Sequence, residues 1–351
     1  MPAKHLTKVI GKGVMVVKQQ YFFHHMKVLN RLETESKITQ YAKEGQPFFF
    51  AIDFLGTSAF VMTPEEAIEN GILYSINGIN NYTEEASTLH PFSFSVKPVS
   101  RAVYSKSFEK VMAALNNGDT YLLNLTFPTR IETDLTPEEI FYHSTAKYKL
   151  LIPGKFVVFS PETFISIREN HIYSCPMKGT ISAKIPNAKE LILADRKEQY
   201  EHNTIVDLIR NDLAMVSTNV SVTRFRYVER IKSLKEDLLQ VSSEISGELE
   251  GNYRESLGSL LFKLLPAGSV SGAPKKSTVN IIVKSEIYER GFYTGIFGYF
   301  DGTSLDSGVM IRFIEFTAEG PVYKSGGGIT ALSDMNSEHE EMIQKVYVPV
   351  V

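Results

Sequence analysis

A single cysteine, Cys175, stands in 351 residues. It excludes an internal disulfide and a cysteine-built zinc cage, and it fits a reducing compartment. No run of about 18 apolar residues occurs, so no membrane span is expected. Basic charge is not in excess: 37 Lys and Arg face 40 Asp and Glu, for a net charge of -3. A nucleic-acid partner is therefore not expected, because nothing global neutralises phosphates. The first 27 residues carry five lysines but no acid and no arginine. They lack the apolar stretch of a secretory signal and the arginines of a transit peptide. A solvated extension or an edge strand is expected there, and a cytoplasmic location follows.

Familiar catalytic signatures are missing too. No GxxxxGK(S/T) loop, GxGxxG turn or GxSxG elbow is present, and HEEMI lacks the second histidine of HExxH. The eight histidines show no repeated metal spacing. There is no internal repeat and no low-complexity linker. The 43% hydrophobic and 22% charged composition is that of an ordinary globular chain. Its length allows a substantial core in one large domain or two ordinary ones.

The apolar pattern predicts strands within 46–62, turning at Gly56, Thr57 and Ser58. Helices are expected at 64–70, closed by Gly71, and at 105–117, where Phe108, Val111, Met112 and Leu115 recur at helical spacing. Residues 120–132 read as a strand and 136–149 as a capped helix. Strands dominate from 155 to 177, and one long helix is expected over 187–213. A strand at 221–229, a helical stretch at 252–265 and a helix at 275–289 follow. Strands 291–301 and 307–317 pair across DGTSLD. The strand 322–330 leads to a last helix near 336–347. Strands in hairpin-like runs with helices between them predict an α+β fold with mostly antiparallel sheets. Phe48, Phe49 and Phe50 read as core.

Several constellations could carry chemistry. Glu198 and Glu201 share one helix face, and Glu338 and Glu341 repeat that spacing on another helix. Such carboxylates suit Mg²⁺, which keeps several waters; solvated helix faces are the alternative. PAGSVSGAPKKS (266–277) precedes a helix and offers backbone amides to an anion. KSGGGIT (324–330) is either part of a site or a flexible turn. Arg312, inside an apolar segment, needs a carboxylate, from a ligand or from an internal ion pair. Most unusual is Lys178 in SCPMKGTIS, between Pro176, which fixes its own φ, and Gly179, which takes angles other residues avoid. The spacing predicts a lysine held on a stiff, tight turn.

Together these stretches resemble the chorismate-utilising enzymes, with the aminodeoxychorismate synthase component I branch nearest and anthranilate synthase component I close behind. The resemblance is dense over 118–349: GDTYLLNLT, SPETF, PMKGT, DRKEQYEHNTIVDLIRNDL, LPAGSVSGAPK, ERGFYTGIFGYFDG, VMIR, SGGGIT and EHEE. It implies a single chorismate-binding catalytic domain over 1–351, with a less family-like part at 1–117 and a core at 118–351. The fold implied is two large antiparallel sheets packed as a sandwich and wrapped by helices. Mg²⁺ is the implied cofactor, held directly by Glu201 and Glu341 and through water by Glu198 and Glu338. Arg312, Tyr293 and the Gly328 amide would receive the enolpyruvyl carboxylate. Gly327, Thr180, Gly268, Ser269 and Gly272 would complete the substrate cradle, with Lys275 nearby.

The resemblance also gives Lys178 a role. Branches that make 4-amino-4-deoxychorismate resemble PIKGT, where anthranilate and isochorismate synthases usually carry alanine. Here the motif is PMKGT. Lys178 would attack ring C2 as the C4 hydroxyl leaves, and ammonia would then displace it by attack at C4. This requires a neutral amine. Glu162, in SPETF, matches the general acid for the hydroxyl. Gln240 stands where the family often has histidine, a form some aminodeoxychorismate synthases resemble. No LLES-like tryptophan-sensing motif is seen, so tryptophan feedback is not expected. With no glutaminase elbow around Cys175, a separate glutamine amidotransferase subunit is the implied ammonia donor. A further enzyme would release p-aminobenzoate for folate. The alternatives are anthranilate synthase component I and an isochorismate or salicylate synthase.

Overall fold

The computed structural model describes residues 26–83, 89–231 and 237–350. The lysine-rich start therefore lies outside the described residues. Among the described residues the strands form two nine-stranded sheets, and each strand pairing is antiparallel. The first sheet runs Met177–Ser182, Leu238–Glu248, His171–Ser174, Thr163–Arg168, Leu305–Val309, Ile296–Phe300, Phe48–Ile52 and Ala59–Met62, with Thr218–Ile231 also paired to Leu238–Glu248. In the second, the central strands are Leu122–Thr133, Gly320–Ile329, Phe313–Thr317, Phe156–Ser160 and Tyr148–Ile152.

The sheets face each other across an aromatic layer. Phe49, Phe60 and Phe297 from one meet Tyr74, Tyr148, Phe156 and Phe313 from the other. Phe48 and Phe50, alternating with Phe49, point to the outer face and pack with Leu257, Leu260 and Leu261 of the helix Leu257–Leu264. All three phenylalanines are fully buried, each contributing roughly 2–3 kcal/mol of transfer free energy. They are core, as expected.

Two hairpins change sheets in a way that builds the site. The hairpin Tyr148–Ile152/Phe156–Ser160 lies in the second sheet, and the next, Thr163–Arg168/His171–Ser174, lies in the first. Likewise Ile296–Phe300/Leu305–Val309 lies in the first and Phe313–Thr317/Gly320–Ile329 in the second. The chain thus crosses between sheets at Pro161-Glu162 and at Met310-Ile311-Arg312. The crossovers run side by side: Val309 N donates to Glu162 O at 3.0 Å, and Phe159 N donates to Arg312 O at 3.1 Å. This corrects the expected strand 307–317, which is two strands in different sheets. Arg312 sits between them at φ 54°, a left-handed conformation uncommon for a side chain of this size.

Other elements differ from the sequence reading in instructive ways. The helix expected over 136–149 ends at His143, and the fully buried YKLLI of Tyr148–Ile152 becomes a strand. The long helix over 187–213 is two, Ala188–Ala194 and Arg196–Ala214, because Asp195 leaves helical geometry and caps the second by accepting from Glu198 N. The helix Arg31–Glu44, with a full capping box at Asn30 and Glu33, was not anticipated; its weak amphipathic contrast hid it. Gly272 pairs with Leu123 at φ 135°, and a Cβ there would lie 1.9 Å from Leu122 O. Gly272→Ala is therefore expected to cost about 3 kcal/mol or more of stability, read by chemical denaturation.

Candidate active site

Lys178 lies on the strand Met177–Ser182 at one end of the first sheet, not on a turn. The stiffness comes from a bulge: Lys178 pairs with Val241 and Thr180 with Gln240, leaving Gly179 unpaired at φ 74°. An extra residue re-aims side chains. Lys178 and Thr180 then oppose adjacent partners, and they fall on opposite faces. Lys178 borders a cleft of about 140 Å³ between the sheets. Thr180 is exposed and does not border it.

The crossovers supply two further walls. Glu162 and Arg312 both border the cleft. Burial raises the Glu162 carboxyl above the ordinary range, opposed by a Ser269 hydrogen bond and by the Lys178 and Lys345 cations. A carboxyl held toward its neutral form can donate a proton. Arg312 Nη1 donates to Lys345 O at 2.8 Å, and its guanidinium lies 4.9 Å from the Tyr347 ring. Tyr293, buried, is stacked edge-on against Phe313 at 5.7 Å. The Gly326–Gly328 backbone forms the floor.

Behind this wall is a buried clamp. Arg290, paired with Glu286 at 2.6 Å, donates to Asn124 O at 2.6 Å, to Val270 O at 2.8 Å and to Thr294 Oγ1 at 3.2 Å. Its partners belong to three segments that border the cleft, so one buried ion pair fixes their spacing. Lys324, 3% exposed, also reaches the cleft and bonds Arg290 O at 3.0 Å and Glu315 at 2.9 Å.

The acids come from the two expected helices. Lys178 Nζ lies 3.9 Å from Glu201 Oε2. A Cβ on Gly179 would sit 3.1 Å from Glu198 Oε2, so glycine makes room for that carboxylate. Glu338 is 4% exposed and accepts from Ser333 Oγ at 2.8 Å, while Glu341 pairs with Lys345 at 2.7 Å. A Cβ on Gly327 would lie 3.5 Å from Glu338 Oε2 and 3.8 Å from Glu341 Oε1. Two acid pairs thus flank the cleft, one beside Lys178 and one beside the glycine floor. Their all-oxygen donor set suits a hard dication. Among the described residues no three metal-ligating groups are gathered around one point.

Other expected cradle residues fall elsewhere. Ser269 borders the cleft, while Gly268 lies behind it and Gly272 serves the sheet edge. Lys275 is bound to Asp212 at 2.9 Å and to Leu264 O at 2.8 Å, away from the cleft. The sequence reading missed Lys345, whose i,i+4 spacing from Glu341 was the available signal. It also missed Lys324 and His202. His202 is 1% exposed, bonds Ser243 Oγ at 2.7 Å, and is pushed down to about 4 by burial, then by the Arg226 and Lys178 cations. It is a neutral imidazole at physiological pH.

The Ser269 hydrogen bond favours the ionised form of Glu162. Ser269→Ala removes it, so the Glu162 pKa rises and the acid stays protonated to higher pH. The alkaline limb of kcat/KM is expected to move upward, which a pH-rate profile reads.

A cleft between two antiparallel sheets, with a lysine, a proton-holding carboxyl, acid pairs on two helices and cationic walls, defines an enzyme for a small polyanion. The family model for chorismate binding enzymes matches residues 42–350, and the chain belongs to that family. It is 50% identical to an uncharacterized PabA-like protein of Pasteurella multocida over 89% of this chain and 96% of that one. A PabA-like protein of Haemophilus influenzae, also uncharacterized, is 47% identical over 88% and 94%. More distant relatives include anthranilate synthase component 1 of Archaeoglobus fulgidus (30% identical, over 70% of this chain and 61% of that one) and aminodeoxychorismate synthase component 1 of Bacillus subtilis (27%, over 71% and 55%). The fold is shared with the menaquinone-specific isochorismate synthase of Escherichia coli, at a TM-score of 0.69 and 14% identity, over 91% of this chain and 82% of that one. Among the described residues no helix is long and apolar enough to cross a membrane.

Proposed function

We propose that this chain is an aminodeoxychorismate synthase component I, converting chorismate and ammonia to 4-amino-4-deoxychorismate. The observation that carries the reading is Lys178 itself: a bulge aims a primary amine into the cleft that Glu162 also borders. Relatives of both the anthranilate and the aminodeoxychorismate type lie at similar distance. The choice between them rests here on the lysine at 178.

Arg312, Tyr293 and the Gly328 backbone orient the enolpyruvyl carboxylate by charge and hydrogen bonding. Lys178 attacks ring C2, and Glu162 gives its proton to the departing C4 hydroxyl, which leaves as water. Ammonia attacks C4 and the lysine is expelled. Glu201 and Glu341, with Glu198 and Glu338 acting through water, would hold Mg²⁺, which would supply a counter-charge for the ring carboxylate. A separate glutamine amidotransferase subunit would supply ammonia in a cytoplasmic setting. The test is a product assay with purified chain, chorismate, Mg²⁺ and ammonium at mildly alkaline pH. The expected product is aminodeoxychorismate, which an added lyase turns into p-aminobenzoate. Anthranilate with pyruvate, or isochorismate, would overturn the reading.

A further inference from the structure

A second, smaller cavity lies directly behind Glu162. Its volume is about 20 Å³. One water-sized molecule needs roughly 10–15 Å³ on that measure, so the cavity holds a single small molecule and nothing larger. Its walls are mainly apolar, built by Phe164, Ile209, Leu213, Leu264 and Ala267. Asp212 also borders it, but Lys275 at 2.9 Å already balances that carboxylate. Gly268 lets the wall pack closely, since a Cβ there would lie 2.8 Å from Asp212 Oδ2 and 3.1 Å from Leu208 Cγ.

The way out of this cavity is written in the exposure of its walls. Every lining residue is buried except Glu162 and Ser269, which are partly exposed. Those two also border the substrate cleft. The cavity is thus a side chamber of the cleft, with the general acid and its hydrogen-bonding serine at the doorway.

We infer that this chamber holds the neutral ammonia molecule that attacks the substrate. The inference rests on the amination reading and deepens it. Three features of the chamber support it. The size admits NH₃ or water but not a substituted amine. Walls that are mainly apolar, with Asp212 balanced by Lys275, disfavour ammonium relative to ammonia. The location also matches the chemistry, because nitrogen must reach the carbon whose hydroxyl Glu162 has just protonated.

The proton count closes on one residue. In the first half, the lysine N–C2 bond forms, the C4–O bond breaks, and the Glu162 proton leaves with the hydroxyl as water. In the second half, the N–C4 bond forms from ammonia, the C2–N bond breaks, and Lys178 recovers its amine. The C4 ammonium then gives its extra proton to the Glu162 carboxylate at the doorway. Chorismate and ammonia become aminodeoxychorismate and water, and the enzyme returns to its starting protonation.

The test changes the chamber in opposite directions. Ile209→Ala enlarges it and Ala267→Val fills it. With the full chain, chorismate and ammonium, Ala267→Val is expected to raise the KM for ammonia about tenfold or more, with chorismate affinity unchanged. Ile209→Ala is expected to accept methylamine, which the unaltered chain refuses, giving a product one methylene heavier by mass detection. Either response alone supports the chamber if the other variant fails to fold, as judged by circular dichroism and chorismate binding. Folded variants that keep the parent's ammonia KM and its refusal of methylamine would overturn the chamber and leave the amination reading intact. A parent chain that forms no aminated product would overturn both.

Discussion

Lys178→Ala is expected to lower amination by about 10⁴-fold or more, the scale seen when a covalent nucleophile is removed. Chorismate binding should survive, because Arg312, Tyr293 and the Gly326–Gly328 backbone stand on other elements of the cleft. A loss in kcat with little change in affinity separates a nucleophile from a residue that merely packs. Lys178→Arg should not restore the rate, since a guanidinium keeps its charge and offers no nucleophilic lone pair. Calorimetric binding of chorismate alongside steady-state kinetics reads both quantities. A Lys178→Ala chain with full amination would sink the nucleophile assignment.

The second large effect is at Glu162. Glu162→Gln is nearly isosteric and removes only the transferable proton. About a 10³-fold loss is expected, within the usual range for general acid catalysis. Burial holds the carboxyl above the ordinary carboxylate range, so its neutral, proton-giving form extends toward physiological pH. The alkaline limb of the parent's kcat/KM profile should vanish in the variant. A limb that persists unchanged would assign the acid to another group.

Much of this site was legible before the fold. Glu198 with Glu201, and Glu338 with Glu341, were readable because helical spacing alone puts residues three apart on one face. The structure sets those faces beside Lys178 and Gly327, which border the cleft. Arg312 stood out as a charge in an apolar run, but the run concealed a change of sheet. No local pattern announces a crossover, since Val309 and Met310 before it and Phe313 and Ile314 after it are alike apolar and fully buried. Lys178 was singled out by its neighbours and borders the cleft, while its setting was misread. Pro176 and Gly179 suggested a turn, yet Gly179 serves a bulge whose partner strand, Leu238–Glu248, is more than 55 residues away. Pairings at that separation leave no trace in local periodicity. Lys324 was invisible for the same reason: its partners Arg290 and Glu315 come from other elements. Glycines gave mixed signals. Gly272 looked like part of an anion loop, but close approach to Leu122 O explains it without a ligand.

The proposed reaction turns on a covalent bond between Lys178 and the ring. Intact-protein mass spectrometry of the chain mixed with chorismate and Mg²⁺, without ammonia, tests it most directly. The expected species is heavier by chorismate less one water, maps to the peptide containing Lys178 and is discharged when ammonium is added. A chain that turns over chorismate with ammonium, yet shows no such adduct at any time or carries it on a residue other than Lys178, would rule out Lys178 as the nucleophile.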